Sequence, residues 1–102
     1  NLKFANENIK YYVKENLEKN LTILPIKDKA ILKKDFFSHS DEVVFRSLTE
    51  VLKIIGRKYY PVRGKKIDKA LQSINTKSSF KLTLGGCVIK KVNDTIIVSK
   101  ET

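Results

Sequence analysis

The chain contains one cysteine, one histidine and no methionine among its 102 residues. A single cysteine, Cys87, excludes an internal disulfide, and one cysteine with one histidine falls short of a four-ligand zinc site. No apolar run approaches the ~18–20 residues that cross a bilayer, and no charged-then-apolar signal segment opens the chain. We therefore expect a cytoplasmic protein without a membrane partner. Because a complete translation product begins with methionine, a chain beginning at Asn1 is expected either to have lost residues by processing or to be a piece of a longer protein.

The motifs of several enzyme classes are also missing from the chain. It has no P-loop and no nucleophile elbow. His39 precedes a helix without a partner at motif spacing, so a solvated residue is favoured over a general base. Cys87 begins an apolar strand, which favours a small buried hydrophobe over a reactive thiol. The sequence thus predicts no catalytic residue, no metal site and no cofactor within this chain.

Positive charge dominates what is present. Lysine and arginine number 21 against 11 acidic residues, giving a net charge of +10, while a hydrophobic share of 41% is enough for a core. This balance favours a nucleic-acid partner over an acidic membrane surface, which is the second possibility on charge alone. The segment from Lys53 to Lys69 holds seven cations and one acid, and Tyr59 and Tyr60 are interleaved and able to stack on unpaired bases. We prefer an RNA contact here to a merely solvated face.

Apolar periodicity predicts three main helices. The first runs from about Asn6 to Lys19, where Ile9, Tyr12, Val13 and Leu17 recur at helical spacing and Asn20 ends the pattern. The clearest runs from Asp41 to Ile55, with Ser40 as N-cap, an apolar stripe and Gly56 as the stop. Another follows from about Lys65 to Asn75. Asp28 is predicted to cap a short helix, and Leu21 to Ile26 to form an edge strand or an extended connection.

The last quarter of the chain alternates with a period of two. Phe80, Leu82 and Leu84 are predicted to face one side of a strand, and Lys81 and Thr83 the other. Gly85-Gly86 is read as a hairpin turn rather than a phosphate cradle, because both glycines accept a positive φ. Strands from Cys87 to Val92 and from Thr95 to Ser99 follow, joined by a tight turn at Asn93-Asp94. The predicted fold class is α+β, with two to three helices packed on a small antiparallel meander.

Several of these segments together resemble the tRNA(Ile)-lysidine synthetases, particularly the alphaproteobacterial ones. The resemblance spans about Tyr12 to Glu101 and rests on the order and spacing of individually soft motifs. They are Leu52-Lys53-Ile54-Ile55-Gly56, Tyr59-Tyr60-Pro61-Val62-Arg63, the Ile67 to Leu71 helix and Thr83-Leu84-Gly85-Gly86-Cys87.

The resemblance implies a parent enzyme that ligates lysine to the wobble cytidine of an isoleucine tRNA, using ATP and Mg²⁺. The family's catalytic Ser-Gly-Gly-x-Asp-Ser loop is absent, so an N-terminal ATP-binding domain of the same chain is expected to perform the chemistry. Residues 1–20 would be the connecting helix and 21–102 the tRNA-binding domain.

The residues expected to bind tRNA come from two sources. Arg46, Tyr60 and Arg63 are carried over from the resemblance, and Arg57, Lys58, Lys65, Lys66 and Lys69 follow from the charge. Two alternatives stay open at this point. They are a free-standing basic nucleic-acid-binding domain and a protein-interaction module without enzyme function.

Overall fold

A computed structural model of the protein describes residues 2–24, 28–57 and 64–101, with side chains from residue 8 onward. Three α-helices, a short 3₁₀ helix and five strands make up the described chain. The helices are α1 (Leu2–Asn20), the 3₁₀ helix (Lys34–Phe37), α2 (Asp41–Gly56) and α3 (Gly64–Thr76); the strands are β1 (Leu21–Leu24), β2 (Lys29–Leu32), β3 (Phe80–Leu84), β4 (Cys87–Val92) and β5 (Thr95–Lys100). The α+β class predicted from the sequence is confirmed.

The strands form one antiparallel sheet in the order β1-β2-β5-β4-β3. The predicted meander of β3, β4 and β5 is present, and the β1–β2 hairpin extends it because β2 pairs with β5, with Ala30 opposite Val98. Strand β1 lies at the edge of the sheet, which is the first of the two alternatives predicted for Leu21 onward. Residues 25–27 lie outside the described part of the chain. The sheet is therefore larger than the alternation of the last quarter alone indicates.

The helix predicted after Asp28 is wrong. Asp28 lies in a turn with a φ of 48°, and the four residues after it form β2. Ala30 and Leu32 are fully buried, whereas Lys29 and Ile31 are only half-buried. A run of three apolar residues suits a helix or a strand equally well, and here pairing with β5 decides the outcome.

Both predicted tight turns of the meander are confirmed. Gly85 and Gly86 have φ angles of 60° and 78°, so each occupies the left-handed region in which a glycine is not strained. This is the backbone of a two-residue hairpin between strands and not of a strand-to-helix phosphate cradle. At the second turn only Asn93 has a positive φ, of 58°.

Helix α2 lies at the centre of the core. Its predicted stripe of Val44, Leu48, Val51, Leu52 and Ile55 is buried, and Ser40 caps it, as predicted, by accepting a hydrogen bond from the Val43 amide at 3.4 Å. The buried face packs against the apolar side of the sheet. That side is formed chiefly by Ala30, Leu32, Leu84, Cys87, Ile89, Ile96 and Val98.

Helix α2 ends at the predicted place, but a different residue takes the left-handed cap position. Gly56 is the last helical residue rather than the stop, and Arg57 takes the left-handed cap position with a φ of 54°. A Cβ on Gly56 would stand 2.4 Å from the Gly85 carbonyl oxygen and 3.0 Å from the Cys87 Sγ. Glycine is present here because the helix end approaches the β3–β4 turn too closely for any side chain.

Helix α1 is joined to the rest of the fold by a buried polar network. The Asn16 side chain is fully buried, and its amide donates to the Phe36 carbonyl at 3.0 Å and to the Ser47 Oγ at 3.1 Å. Asn20 in turn donates to the Asn16 Oδ1 at 2.8 Å. Helix α1 also packs on α2. That residues 1–20 connect this domain to another one stays a prediction.

The predicted apolar stripe of α1 is only partly confirmed. Val13 is buried and Leu17 is half-buried against the core, whereas Tyr12 is 49% exposed and therefore does not belong to the packed face. Among the helices that the structure describes, none is long and apolar enough to cross a membrane.

Candidate nucleic-acid interface

The described part of the predicted RNA-binding site forms a basic surface on helix α3. Ile67, Ala70 and Ile74 are buried against the sheet, which orients the helix. Lys65, Lys66 and Lys69 therefore lie on its exposed side, within the first two turns. We call these three residues the α3 lysines. Three of the eight predicted RNA-binding residues are thus brought together on one accessible surface.

The α3 lysines have no acidic partner within ion-pair distance among the described residues. The four ion pairs found there all involve other cations. The first turn of α3 contains no acidic residue, although the helix dipole favours negative charge at that end. Lys65 and Lys69 are also spaced four residues apart, where like charges repel on a helix surface. Asp68, three residues after Lys65, is the one acid within the first two turns, so this surface keeps a net positive charge among the described residues.

The other described cations of the predicted site are paired. Arg46 Nε donates to Glu42 Oε1 at 2.8 Å on the same helix, and Arg57 donates to Asp28 Oδ1 at 2.8 Å. Lys53, within the same basic segment, lies 3.4 Å from Glu50. Exposed pairs of this kind contribute little stability and break easily, so they reduce the local charge without preventing a phosphate contact.

Arg46 is also separated from the α3 lysines by its position on α2. It lines a groove of about 670 Å³ whose described walls come from α1 and α2 alone. Val13, Leu17 and Phe45 form the apolar part of that groove, and Lys10 and Lys14 stand at its rim. The predicted residues Lys58, Tyr60 and Arg63 lie in 58–63, outside the described residues, so their place relative to either surface stays a prediction.

Sequence reasoning missed the cations on the side of the sheet away from the helices. Lys81, Lys90 and Lys29 lie there, on three different strands. The period-two pattern correctly predicted that Lys81 faces the other side of the sheet from Phe80 and Leu82. The neighbourhood of the three lysines depends on strand register, however, which the local pattern does not reveal.

The two residues considered for chemistry are placed as follows. Cys87 is fully buried, as expected of a small hydrophobe, and its thiol donates to the Leu52 carbonyl at 3.6 Å. Burial raises the pKa of the Cys87 thiol to about 11, so the nucleophilic thiolate is scarce at neutral pH. His39 is half-buried between the 3₁₀ helix and α2 rather than freely solvated. Within the described residues, no group of three His, Cys, Asp or Glu side chains is arranged to hold a metal ion.

No protein-family model matches the chain, and neither a curated protein nor a solved structure does.

Proposed function

We propose that this domain binds RNA, and that the α3 lysines form the primary contact with the phosphate backbone. The observation that carries the proposal is the exposure of Lys65, Lys66 and Lys69 on one side of α3 without an acidic partner among the described residues. Lysines that neutralise phosphates release condensed counterions, which drives binding. The net charge of +10 extends the same attraction to longer range.

The finer proposal rests on the sequence resemblance. In it the RNA is an isoleucine tRNA, and the parent protein is a cytoplasmic tRNA(Ile)-lysidine ligase. Another domain of that parent binds ATP and Mg²⁺ and performs the chemistry, while this domain holds the tRNA. A preference for isoleucine tRNA over an unrelated tRNA of equal length, measured by competition, supports this finer proposal. Equal affinity for the two contradicts it.

The test of RNA binding is a charge reversal, Lys65→Glu with Lys66→Glu, in the 102-residue chain. Glutamates in the first turn agree with the helix dipole, so the variant is expected to be at least as stable as the wild type. Loss of binding can then not be attributed to unfolding. The measurement is tRNA affinity by fluorescence anisotropy across a range of salt concentrations, with thermal unfolding alongside.

The matched control is Lys33→Glu with Lys34→Glu, an adjacent and exposed pair at the 3₁₀ helix with the same change in net charge. We expect the α3 variant to bind more weakly and its log–log salt slope to fall by about 1.4–1.8 for two lost phosphate contacts. We expect a much smaller effect from the control. Equal losses of tRNA affinity in the two variants would mean that only net charge matters and would contradict the proposal. Binding that does not depend on salt would contradict it too, because such binding is typical of a protein-interaction module.

A further inference from the structure

The side of the sheet that faces away from the helices is uncovered by any described element. We call it the open face. Its residues follow from the strand register and alternate with the buried ones. None of them is fully buried, whereas the opposite side contains most of the core. The open face includes Thr22, Leu24, Lys29, Ile31, Lys81, Thr83, Val88, Lys90, Val92, Thr95, Ile97 and Ser99.

Four lysines surround a shallow depression of about 360 Å³ on this face. Lys81 and Lys90 are directly opposed partners of β3 and β4, and Lys29 lies across β5 from them. Lys100, at the end of β5, lines the depression from its rim although the register places it opposite Cys87, on the helical side. The half-buried Val88 and Ile97 form the floor. Glu101 is the one acid among the residues that line the depression. The open face is therefore a positively charged, weakly concave surface.

The arrangement of these lysines does not serve the stability of the free domain. Like charges directly opposed on neighbouring strands are destabilising, and Lys81 and Lys90 are such a pair. Among the described residues, none of the four lysines takes part in an ion pair. A bound polyanion would convert this repulsion into attraction.

We propose that the open face is a second RNA-binding surface, which contacts the sugar–phosphate backbone of a double-stranded stem. This inference rests on the proposed RNA-binding function and adds both a second site and the kind of RNA that the site accepts. Lys29 and Lys90 lie two strand spacings apart, with the hydroxyl of Ser99 on the strand between them, and Thr83 lies beside Lys81 on β3. Together these groups offer donors to successive phosphates.

The chemistry of the face favours a duplex over unpaired bases. Sheet surfaces that bind single strands present aromatic side chains on which bases stack. The open face presents threonine, serine, valine, isoleucine, leucine and lysine, and Phe80, the one aromatic residue of the described strands, points to the helical side. Without a stacking platform, the remaining contacts are with the backbone, whose charge density is greatest in a double helix.

The test uses Lys81→Gln with Lys90→Gln in the 102-residue chain, and Lys33→Gln with Lys34→Gln as the control with equal charge loss. The probes are an RNA hairpin with a long stem and an oligouridylate with the same number of phosphates. Removing the opposed charges should leave the melting temperature equal to or above that of the wild type. Affinity for the hairpin should fall, and its salt slope should decrease by about 1.8, while the control retains near-wild-type binding.

Each contrary outcome is distinguishable. Unchanged hairpin affinity in the Lys81/Lys90 variant overturns the inference, and if the Lys65/Lys66 reversal still weakens binding, the proposed function survives. No effect from either variant removes both proposals. An equal or greater loss for oligouridylate overturns the duplex assignment. Polyglutamate that binds as tightly as the hairpin, in a manner dependent on Lys81 and Lys90, overturns the RNA assignment in favour of an acidic protein.

Discussion

Replacing Gly56 by alanine places a methyl group between the end of α2 and the β3–β4 turn. The added Cβ would stand 2.4 Å from the Gly85 carbonyl oxygen, a distance that real Cβ atoms do not reach, and 3.0 Å from the Cys87 Sγ. The first of these atoms belongs to the backbone of a tight turn, and the second belongs to a fully buried side chain. Neither can rotate away, so the helix end and the turn must separate.

The net effect is the difference between two opposing contributions. Alanine is a better helix former than glycine by about 1 kcal/mol, and this gain is realised wherever the site has room. Overpacking a close contact costs about 1–3 kcal/mol, and the upper part of that range, about 2–3 kcal/mol, applies here because the obstructing atom belongs to the backbone. We therefore expect Gly56→Ala to destabilise the domain by about 1–2 kcal/mol, which lowers the melting temperature of a chain of this size by about 5–15 °C.

The measurement is thermal and urea unfolding of Gly56→Ala beside Gly64→Ala, which adds the same methyl group elsewhere. A Cβ on Gly64 meets the Phe45 ring at 3.5 Å, an ordinary van der Waals contact, so this control should be neutral or slightly stabilising. The urea m-value should be unchanged in both variants. If Gly56→Ala melts at or above the wild-type temperature, α2 does not approach the turn as described.

Two further predictions concern buried polar groups. Asn16→Leu should destabilise the domain by about 2–5 kcal/mol, because it leaves the Phe36 carbonyl, the Ser47 hydroxyl and the Asn20 amide without their partner. The control is Asn75→Leu at an exposed position. Similar unfolding midpoints for the two variants would contradict the buried network. For Cys87, burial raises the pKa of the thiol from 9.0 to about 11, so the unfolded chain loses the proton first and stability should fall as the pH rises through that interval. Cys87→Ala lacks this loss, so its stability relative to the wild type should rise between pH 9 and pH 11 in urea titrations.

The parts of the fold that the sequence predicted are those in which local preferences agree with the tertiary structure. The stripe of α2, its Ser40 cap and the alternation from Phe80 each indicate one conformation, and the structure adopts it. The prediction failed at Lys29–Leu32, where three consecutive apolar residues permit either a helix or a strand. Pairing with β5, about seventy residues along the chain, decides the outcome, and local reasoning does not include it.

Side chains that act through tertiary neighbours were also missed. Asn16 looks like a polar surface residue of an amphipathic helix, yet it is fully buried because its partners come from the 3₁₀ helix and α2. Phe36 is fully buried although it lies in a short segment without a periodic pattern. The sequence predicts Gly56 to be a helix stop, because the local pattern contains no sign that the β3–β4 turn lies close to it.

The candidate site was only partly predictable for a related reason. Counting charge along the chain identified the segment from Lys53 to Lys69, but it could not show which cations are paired. Arg46 and Arg57 have carboxylate partners, and the α3 lysines have none among the described residues. The open face escaped the count because its lysines come from three strands and meet only through the register.

The helices of this chain differ from one another in a way that supports the proposed RNA binding. Helix α2, which lies at the centre of the core, follows the rules of helix stability: it has a serine cap and acidic residues in its first turn. Helix α3 departs from these rules at its N-terminal end, where the first turn has no acid and contains Lys65 and Lys66; at its other end, Lys91 of β4 donates to the Ile74 carbonyl at 2.7 Å. Strands β3 and β4 place lysine opposite lysine in the same way. A chain that satisfies the stabilising pattern in its core helix departs from it at two exposed basic surfaces, and each departure carries a local cost in the free domain that a bound polyanion would reverse.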